Sequence, residues 1–189
     1  EPGNGIKKQR LVPWQLVVAL SLIFTVSVTV MGQIRYGWIR LQHMKVNDPS
    51  LDMVGWDQLG RRFAPVAAWE EEHAMIGKNS PIITFRWFPA ANFDYYVGRR
   101  INKPVYAVGS LDRIHKYHWI NKIRGNLKQG SDAWYIGLSD DYEDPAALYG
   151  ELFSRVVPSD TLYITRGRDT VRRAFLFHMI GLKQEMVFK

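Results

Sequence analysis

One apolar stretch constrains this chain more than any other feature. The run from Leu11 to Met31, LVPWQLVVALSLIFTVSVTVM, contains no charged side chain. An α-helix needs about 20 apolar residues to cross the hydrocarbon core of a bilayer. Trp14 and Tyr36 would lie about 33 Å apart along such a helix, close to the spacing of the two membrane interfaces where aromatic side chains collect. The sequence therefore predicts a transmembrane helix over residues 11–34, with a buried core helix as the alternative interpretation.

Basic residues flank the predicted span on both sides. Lys7, Lys8 and Arg10 precede it, and an equal number of basic residues follows it before residue 50. The positive-inside rule therefore returns a tie, and the dense basic group before the span favours a cytoplasmic flank over residues 1–10. Residues 35–50 are predicted to form a juxtamembrane connector that ends in an Asn-Asp-Pro-Ser turn. Because the sequence starts with Glu-Pro and not with Met, we expect it to be a piece of a longer protein.

The remaining sequence, residues 51–189, has the size of one compact domain. The net charge of +7 fits a membrane surface or a phosphorylated, phospholipid-like ligand. Nucleic acid is not an expected partner, because there is no zinc-finger spacing, lysine-rich tail or aromatic RNA-binding signature. The chain has no cysteine, so no disulfide framework supports the fold.

Beyond the connector, predicted helices and strands alternate. Residues 51–76 show apolar side chains at helical spacing, with Pro65 expected to kink or split the helix. Strands alternating with helices predict a three-layer α/β domain with a mostly parallel sheet of four or five strands. The predicted strands are 82–85, 105–108, 133–138, 162–165 and 175–180; the other predicted helices are 90–99, 113–127, and one that begins at Asp144-Pro145 and carries Leu148, Leu152 and Val156 on one stripe.

Common catalytic and metal-binding signatures are missing from the sequence. It has no glycine-rich dinucleotide loop, phosphate-binding loop, nucleophile elbow or His-Glu-x-x-His motif. His115 and His118 lie three residues apart, but a metal site needs further ligands, so a surface pair is favoured. The acidic turn 140–144 is favoured as a helix cap with solvated neighbours over a cation site. No catalytic residue, metal site or cofactor is predicted. Three arginine pairs suit either phosphate or a basic face near anionic headgroups: Arg61–Arg62, Arg99–Arg100 and Arg172–Arg173.

A family resemblance rests on several short motifs between Leu51 and Asn121. This stretch resembles the soluble C-terminal part of bacterial multi-span glycosyltransferases similar to the dolichyl-phosphate-mannose protein mannosyltransferase and aminoarabinose transferase superfamily. In that family, a final transmembrane helix precedes an extracytoplasmic α/β domain. The motifs are Gly55-Trp56 with Leu59, Phe85-Arg86-Trp87, Asn92-Phe93-Asp94-Tyr95-Tyr96, Pro104-Val105-Tyr106 and Tyr117-His118-Trp119.

The resemblance implies transfer of a sugar from a polyprenyl-phosphate donor to a glycan, lipid or protein. It places the chain in the bacterial inner membrane with its soluble domain outside the cytoplasm. The family's catalytic carboxylate lies in an early loop that this chain does not contain, so we expect the fragment alone to be inactive. Its partners would be membrane lipid, the donor and the upstream transmembrane part of the same protein.

Four residues are predicted to bind substrate: Arg86, Trp87, Tyr95 and His118. Arg86 follows the end of a predicted strand, where open α/β sheets place ligands. Tyr96 is a further candidate, but core packing is favoured for it. Two alternatives remain open for the whole chain: a single-span module that binds a phosphorylated sugar or lipid without reaction, and a structural subunit of a membrane complex.

Overall fold

A computed structural model describes residues 13–39 and 48–188, which belong to two compact units, one ending at Asp52 and the other beginning at Met53. The first unit contains helix α1 (Trp14–Tyr36), which is long and apolar enough to cross a membrane. Its side chains are exposed along its length, with Gly32 as the only buried residue of the helix. The helix does not bury the apolar stripe that a core helix of a soluble protein would bury.

The bounds of α1 agree with the predicted span over its described part. Residues 11 and 12, the predicted flank 1–10 and residues 40–47 of the predicted connector lie outside the described residues. The helix ends at Gly37, whose positive φ of 63° and N–H bond to the Gln33 carbonyl form a left-handed cap. A short 3-10 helix, Pro49–Met53, occupies the end of the connector and the predicted start of the next helix.

The second unit is built on one five-stranded sheet with the order β2-β1-β3-β5-β4. β1 is parallel to both β2 and β3, whereas β5 is antiparallel to both β3 and β4. The sheet is therefore mixed, and the prediction of a mostly parallel sheet is wrong. The five strands are β1 (Ile82–Thr84), β2 (Val105–Ala107), β3 (Ala133–Leu138), β4 (Phe153–Arg166) and β5 (Asp169–Leu182).

Within the described residues of the second unit, six α-helices and one π-helical segment accompany this sheet. α3 continues without a break through a π-helical segment into α4, in the region where one helix over 90–99 was predicted. The elements are α2 (Trp56–Glu72), α3 (Trp87–Asn92) with the π-helical segment Phe93–Gly98 and α4 (Arg99–Ile101), α5 (Leu111–Ile114), α6 (Tyr117–Arg124) and α7 (Pro145–Tyr149).

Two apolar clusters pack on opposite faces of the sheet. The first lies under α2, α3 and the π-helical segment, and it includes Trp56, Phe63 and Trp134. The second includes Tyr135 and is covered mainly by α7 and the C-terminal segment, so only one face carries a substantial helical layer. Gly60 lets α2 approach the π-helical segment closely, because a Cβ at this position would lie 2.0 Å from the Tyr96 carbonyl oxygen.

Three helix predictions differ from the structure. α2 is one helix from Trp56 to Glu72 with Pro65 inside it, so Pro65 does not split it as one form of the prediction had it, and packing of its apolar face stabilises the continuous helix. The predicted helix 113–127 is divided into α5 and α6 at His115, which has a positive φ of 46°. The helix that begins at Asp144 ends at Tyr149, and Val156 lies in β4 and not on a helical stripe.

Both edges of the sheet are covered by helix side chains. At the β2 edge, the Asn121 side chain of α6 donates to the Ala107 carbonyl at 2.7 Å, and Arg124 donates to the Val105 carbonyl. At the β4 edge, the Gln58 side chain of α2 accepts from the Thr165 N–H at 2.7 Å. These contacts satisfy backbone groups that would otherwise be open to pairing with another strand.

Candidate functional site

The candidate site lies at the carboxyl ends of the parallel strands β1, β2 and β3. The connection after β1 leads to α3 on the first apolar cluster, whereas the connection after β3 leads to α7 on the second. The two connections therefore leave on opposite faces of the sheet. Open α/β sheets bind ligands at such a switch point, in the crevice outside the carboxyl ends of the strands.

Ion pairs join the segments that follow the three strands. Arg86 follows β1 and contacts Asp141, which follows β3, at 2.7 Å. Arg113, which follows β2, contacts Glu143 at 2.9 Å, and Arg86 lies 4.0 Å from the same carboxylate. We call Arg86, Arg113, Asp141 and Glu143 the carboxyl-edge cluster. Each of its side chains is between 30% and 44% exposed, so a ligand from solvent can reach all four.

A buried aromatic ring supports the two guanidinium groups. The Cζ atoms of Arg86 and Arg113 lie 5.2 Å and 5.9 Å from the centre of the Phe85 ring. Phe85 is 3% exposed and belongs to the second apolar cluster, so its position is fixed by packing. Cation–π contacts of this length help to orient guanidinium groups at a partly exposed site.

Two groups of the carboxyl-edge cluster, Asp141 and Arg113, have shifted pKa values. Partial burial raises the pKa of the Asp141 carboxyl, and the nearby Arg86 guanidinium opposes that rise. The hydrogen bond and charge of Glu143 raise the pKa of Arg113. Formal charges in the carboxyl-edge cluster cancel, since two arginines face two carboxylates.

Aromatic and imidazole rings flank the cluster. The Trp87 indole is 45% exposed, and it makes edge-to-face contacts of 5.7 Å with both Phe88 and His115. The positive φ of His115 turns the chain between α5 and α6, and its imidazole lies against Trp87. An exposed indole thus belongs to the residue that directly follows Arg86 of the carboxyl-edge cluster.

The predicted substrate-binding residues are divided between this edge and other surfaces. Arg86 and Trp87 lie at the carboxyl edge. Tyr95 is exposed on the π-helical segment under the Arg99 guanidinium, which lies 5.7 Å from its ring centre. His118 lies in the first turn of α6, with its ring 5.6 Å from Trp119. Within residues 48–188, no hydrogen bond, ion pair or ring contact joins Tyr95 or His118 to Arg86 or Trp87.

Sequence reasoning missed Arg113, Asp141 and Glu143 as members of a site. The available signal was the acidic turn directly after β3, because the carboxyl ends of parallel strands meet at one edge of a sheet. The structure confirms Asp144 as the cap of α7, with its carboxylate accepting from the Ala146 N–H at 3.0 Å. Its acidic neighbours are paired with arginines and are not merely solvated, as Asp140 also contacts Arg172 at 2.6 Å.

The arginine pairs do not form a common phosphate site. Arg61 and Arg100 both contact Asp57, Arg62 donates to the Tyr163 carbonyl, and Arg172 contacts Asp140. No group of three or more His, Asp or Glu side chains in the described ranges is arranged to hold a metal ion.

A second polar cluster is buried between α2, β4 and β5. The Ser159 hydroxyl donates to one oxygen of Glu70 at 2.6 Å, and His178 Nε2 lies 2.5 Å from the other. A Ser-His-acid nucleophile requires the histidine between the serine and the carboxylate, whereas here the carboxylate is central. Glu70 and His178 are both buried, and the Ser159 hydroxyl donates to the Glu70 carboxylate, so this cluster links the helix to the hairpin.

A shallow cleft lies near the amino ends of the parallel strands, at the other end from the carboxyl-edge cluster. It has a volume of about 370 Å³ and includes Glu71, Lys78, Asp132 and Arg155 in its lining. Both oxygens of Asp132 accept backbone N–H groups, from Gly77 at 2.9 Å and from Gly181 at 2.8 Å. Those bonds give Asp132 a structural role, and none of the predicted site residues lines this cleft.

Comparisons of this chain with protein-family models, curated proteins and solved structures found no match.

Proposed function

We propose that this chain is the membrane-anchored, extracytoplasmic C-terminal domain of a glycosyltransferase that uses a polyprenyl-phosphate sugar. In this proposal, the carboxyl-edge cluster and Trp87 bind the sugar of that donor. The observation that supports it best is an exposed indole beside paired guanidinium and carboxylate groups, at a switch point of the sheet. Helix α1 supports the lipid-linked part of the proposal, because it is apolar enough to keep the chain in the membrane that carries such a donor.

The chemistry of the cluster suits a sugar. Sugar hydroxyls both donate and accept hydrogen bonds, while carboxylates accept and guanidinium groups donate. The apolar C–H face of a sugar ring packs well on an aromatic ring such as the Trp87 indole. Because the four charges cancel, the cluster favours a neutral polyol over a bare phosphate, which would have to displace Asp141 or Glu143 from its arginine.

The carboxylates of the cluster are poorly placed to catalyse transfer by themselves. Asp141 and Glu143 each contact a guanidinium group, so that ion pair would have to break before either carboxylate could accept a proton from a substrate. We therefore propose a binding role for this domain, with the catalytic carboxylate elsewhere in the full protein. The same pairing also favours a second candidate, an anchored module that binds the lipid-linked sugar without any reaction.

Binding to the full chain in lipid nanodiscs tests the proposal. The probes are polyprenyl-phosphate mannose and polyprenyl-phosphate aminoarabinose, each compared with sugar-free polyprenyl phosphate. We expect tighter binding of at least one sugar-bearing probe and an approximately tenfold loss of its affinity in Arg86→Ala, the effect of one charge-assisted hydrogen bond. Trp87→Ala should weaken binding of the same probe.

Arg100→Ala provides a matched control. Arg100 is 41% exposed and contacts Asp57 at 2.7 Å, which closely resembles the exposure and pairing of Arg86, but it lies on α4. Its replacement should leave affinity unchanged. Equal affinity for sugar-bearing and sugar-free probes, or equal effects of the two arginine variants, would contradict the sugar site.

The upstream coding sequence separates the two candidates. Several further apolar spans, with an acidic residue in the first external loop, would support the transferase. A start codon immediately before Glu1 would reject the transferase and leave the anchored binding module.

A further inference from the structure

Helix α6 presents an unusual outer face. Trp119 and Ile123 lie one helical turn apart and are 58% and 87% exposed. Lys116, just before the helix, and Lys122 are also exposed and lie on either side of this apolar pair at helical spacing. Single exposed apolar residues are common on proteins, but a Trp–Ile pair between two lysines forms a small amphipathic surface.

The opposite face of α6 is held firmly by the domain. The Tyr117 hydroxyl donates to Asp94 at 2.7 Å, and the Asn121 side chain donates to the Ala107 carbonyl. Arg124, in the last turn, contacts the same Asp94 carboxylate at 2.5 Å. The helix therefore cannot rotate to bury Trp119 and Ile123 without breaking these contacts, and their exposure is a fixed property of the fold.

The stretch of sequence that contains α6 carries only basic charges. The sequence from Arg113 to Ser131 contains Lys and Arg but no Asp or Glu. Its two arginines contact Glu143 and Asp94. Within the described part of the chain, no ion pair engages Lys116, Lys122 or Lys128. An anionic partner therefore meets Lys116 and Lys122 on this face without a competing ion pair from the described residues.

We propose that the outer face of α6 docks on the anionic surface of the bilayer in which α1 is embedded. Tryptophan prefers the headgroup region, an isoleucine beside it enters the acyl boundary, and flanking lysines reach phosphate groups while their stems cover apolar surface. Lysine is depleted in protein–protein interfaces, which favours lipid over a protein partner.

Site-directed spin labelling of the full chain tests this proposal. Because the protein has no cysteine, Ile123→Cys provides a single attachment site. In bilayers that contain phosphatidylglycerol, we expect the label to collide more with lipid-soluble oxygen than with a water-soluble nickel complex. In bilayers of phosphatidylcholine alone, the preference should weaken, because an anionic surface strengthens attraction about fivefold for each lysine.

Val157→Cys is the control position. Val157 is exposed on β4, at the opposite edge of the sheet from α6, and its label should remain accessible to the nickel complex in both bilayers. In the double variant Lys116→Gln/Lys122→Gln, the Ile123 label should become accessible to water even with phosphatidylglycerol. The proposal is wrong if the Ile123 label is as accessible to water as the Val157 label. It is also wrong if the Ile123 label is equally protected in detergent without bilayer lipid, which would indicate a protein partner.

Discussion

The parallel and antiparallel halves of the sheet differ in strand length and in burial. The parallel half contains three short strands, β1, β2 and β3, in which every residue is buried. The antiparallel hairpin β4–β5 has 14 residues in each strand, and buried residues alternate with exposed or half-exposed ones over much of its length. One half is enclosed between apolar clusters, whereas the other presents a large part of its surface to solvent.

The two halves therefore contribute differently to the domain: one positions the carboxyl-edge cluster, and the other is stabilised mainly by hydrogen bonds. The parallel half ends in the carboxyl-edge cluster, so its rigid packing positions Arg86 and Asp141. The hairpin contributes backbone pairing and few apolar contacts outside its buried face, so its stability depends more on hydrogen bonds and on the α2 side chains at its edge. Substitutions of similar size should consequently have different effects in the two halves.

The largest expected difference is between Ile83→Ala and Val157→Ala. Ile83 in β1 is 0% exposed, so truncation leaves a cavity and should lower the free energy of unfolding by about 2–5 kcal/mol. Val157 in β4 is 36% exposed, so its truncation should have an effect below about 1 kcal/mol. Denaturant unfolding of the full chain in micelles, followed by near-ultraviolet circular dichroism, measures both values. Similar losses for the two variants would show that the hairpin is packed as tightly as the parallel half.

The next effect concerns the buried link between α2 and the hairpin. Glu70→Ala leaves the Ser159 hydroxyl and the His178 imidazole without their carboxylate, and it should lower stability by about 1–3 kcal/mol. Glu70→Gln keeps one acceptor for Ser159 and a polar group for His178, so it should recover part of that loss. The same unfolding experiment compares them. An alanine variant as stable as the glutamine variant would mean that this cluster does not hold the hairpin to α2.

The predictability of the two halves follows from the same contrast. Buried parallel strands are nearly continuous apolar runs, and β1, β2 and β3 were predicted within one residue of their observed ends. In the hairpin, only the stretches 162–165 and 175–180 were predicted, because exposed positions interrupt the pattern elsewhere. The Leu148, Leu152 and Val156 spacing favoured a helix in the place where the chain turns into β4.

A turn signal for the hairpin was present in the sequence. The loop consists of Gly167 and Arg168, and Gly167 has a positive φ of 65°, which fits the first central position of a type II′ turn. A hairpin turn at this position makes the strands predicted at 162–165 and 175–180 antiparallel neighbours, and it therefore predicts a mixed sheet. The carboxyl-edge cluster was harder to predict, because Arg86, Arg113 and Asp141 come together only through strand order. Arg86 alone was found, from its position after a strand.

A smaller change in stability is expected at alkaline pH, from a tyrosine buried against the parallel half of the sheet. Burial raises the pKa of Tyr149 well above its ordinary value of 10.0, and its hydroxyl donates to the Val108 carbonyl at 2.8 Å. Since the unfolded chain loses this proton near pH 10 and the folded chain keeps it, stability is full below pH 10 and falls as the pH rises above it. One such tyrosine removes about 1 kcal/mol between pH 10 and 11.

Tyr149→Phe should therefore reduce the fall in stability between pH 10 and 11, although it loses a hydrogen bond at neutral pH. Tyr163→Phe is the matched control, because Tyr163 is half exposed on β4 and its ring is in contact with solvent before and after unfolding. Thermal unfolding at half-unit pH intervals measures the slope for each variant. A slope for Tyr149→Phe equal to that of the parent chain would contradict the buried environment of this hydroxyl.

The smallest effect concerns the covered edge of β4. In Gln58→Ala, the Thr165 N–H loses its acceptor and becomes open to water, which should cost about 1 kcal/mol. Hydrogen exchange at Thr165 should accelerate, because the amide no longer has a partner in the folded chain. Arg62→Ala is the matched control, since it removes the donor to the neighbouring Tyr163 carbonyl and frees no amide N–H. Faster exchange at Thr165 in Gln58→Ala alone would show that α2 protects the hairpin edge one hydrogen bond at a time. Equal acceleration in both variants would show instead that the edge opens together with the helix that covers it.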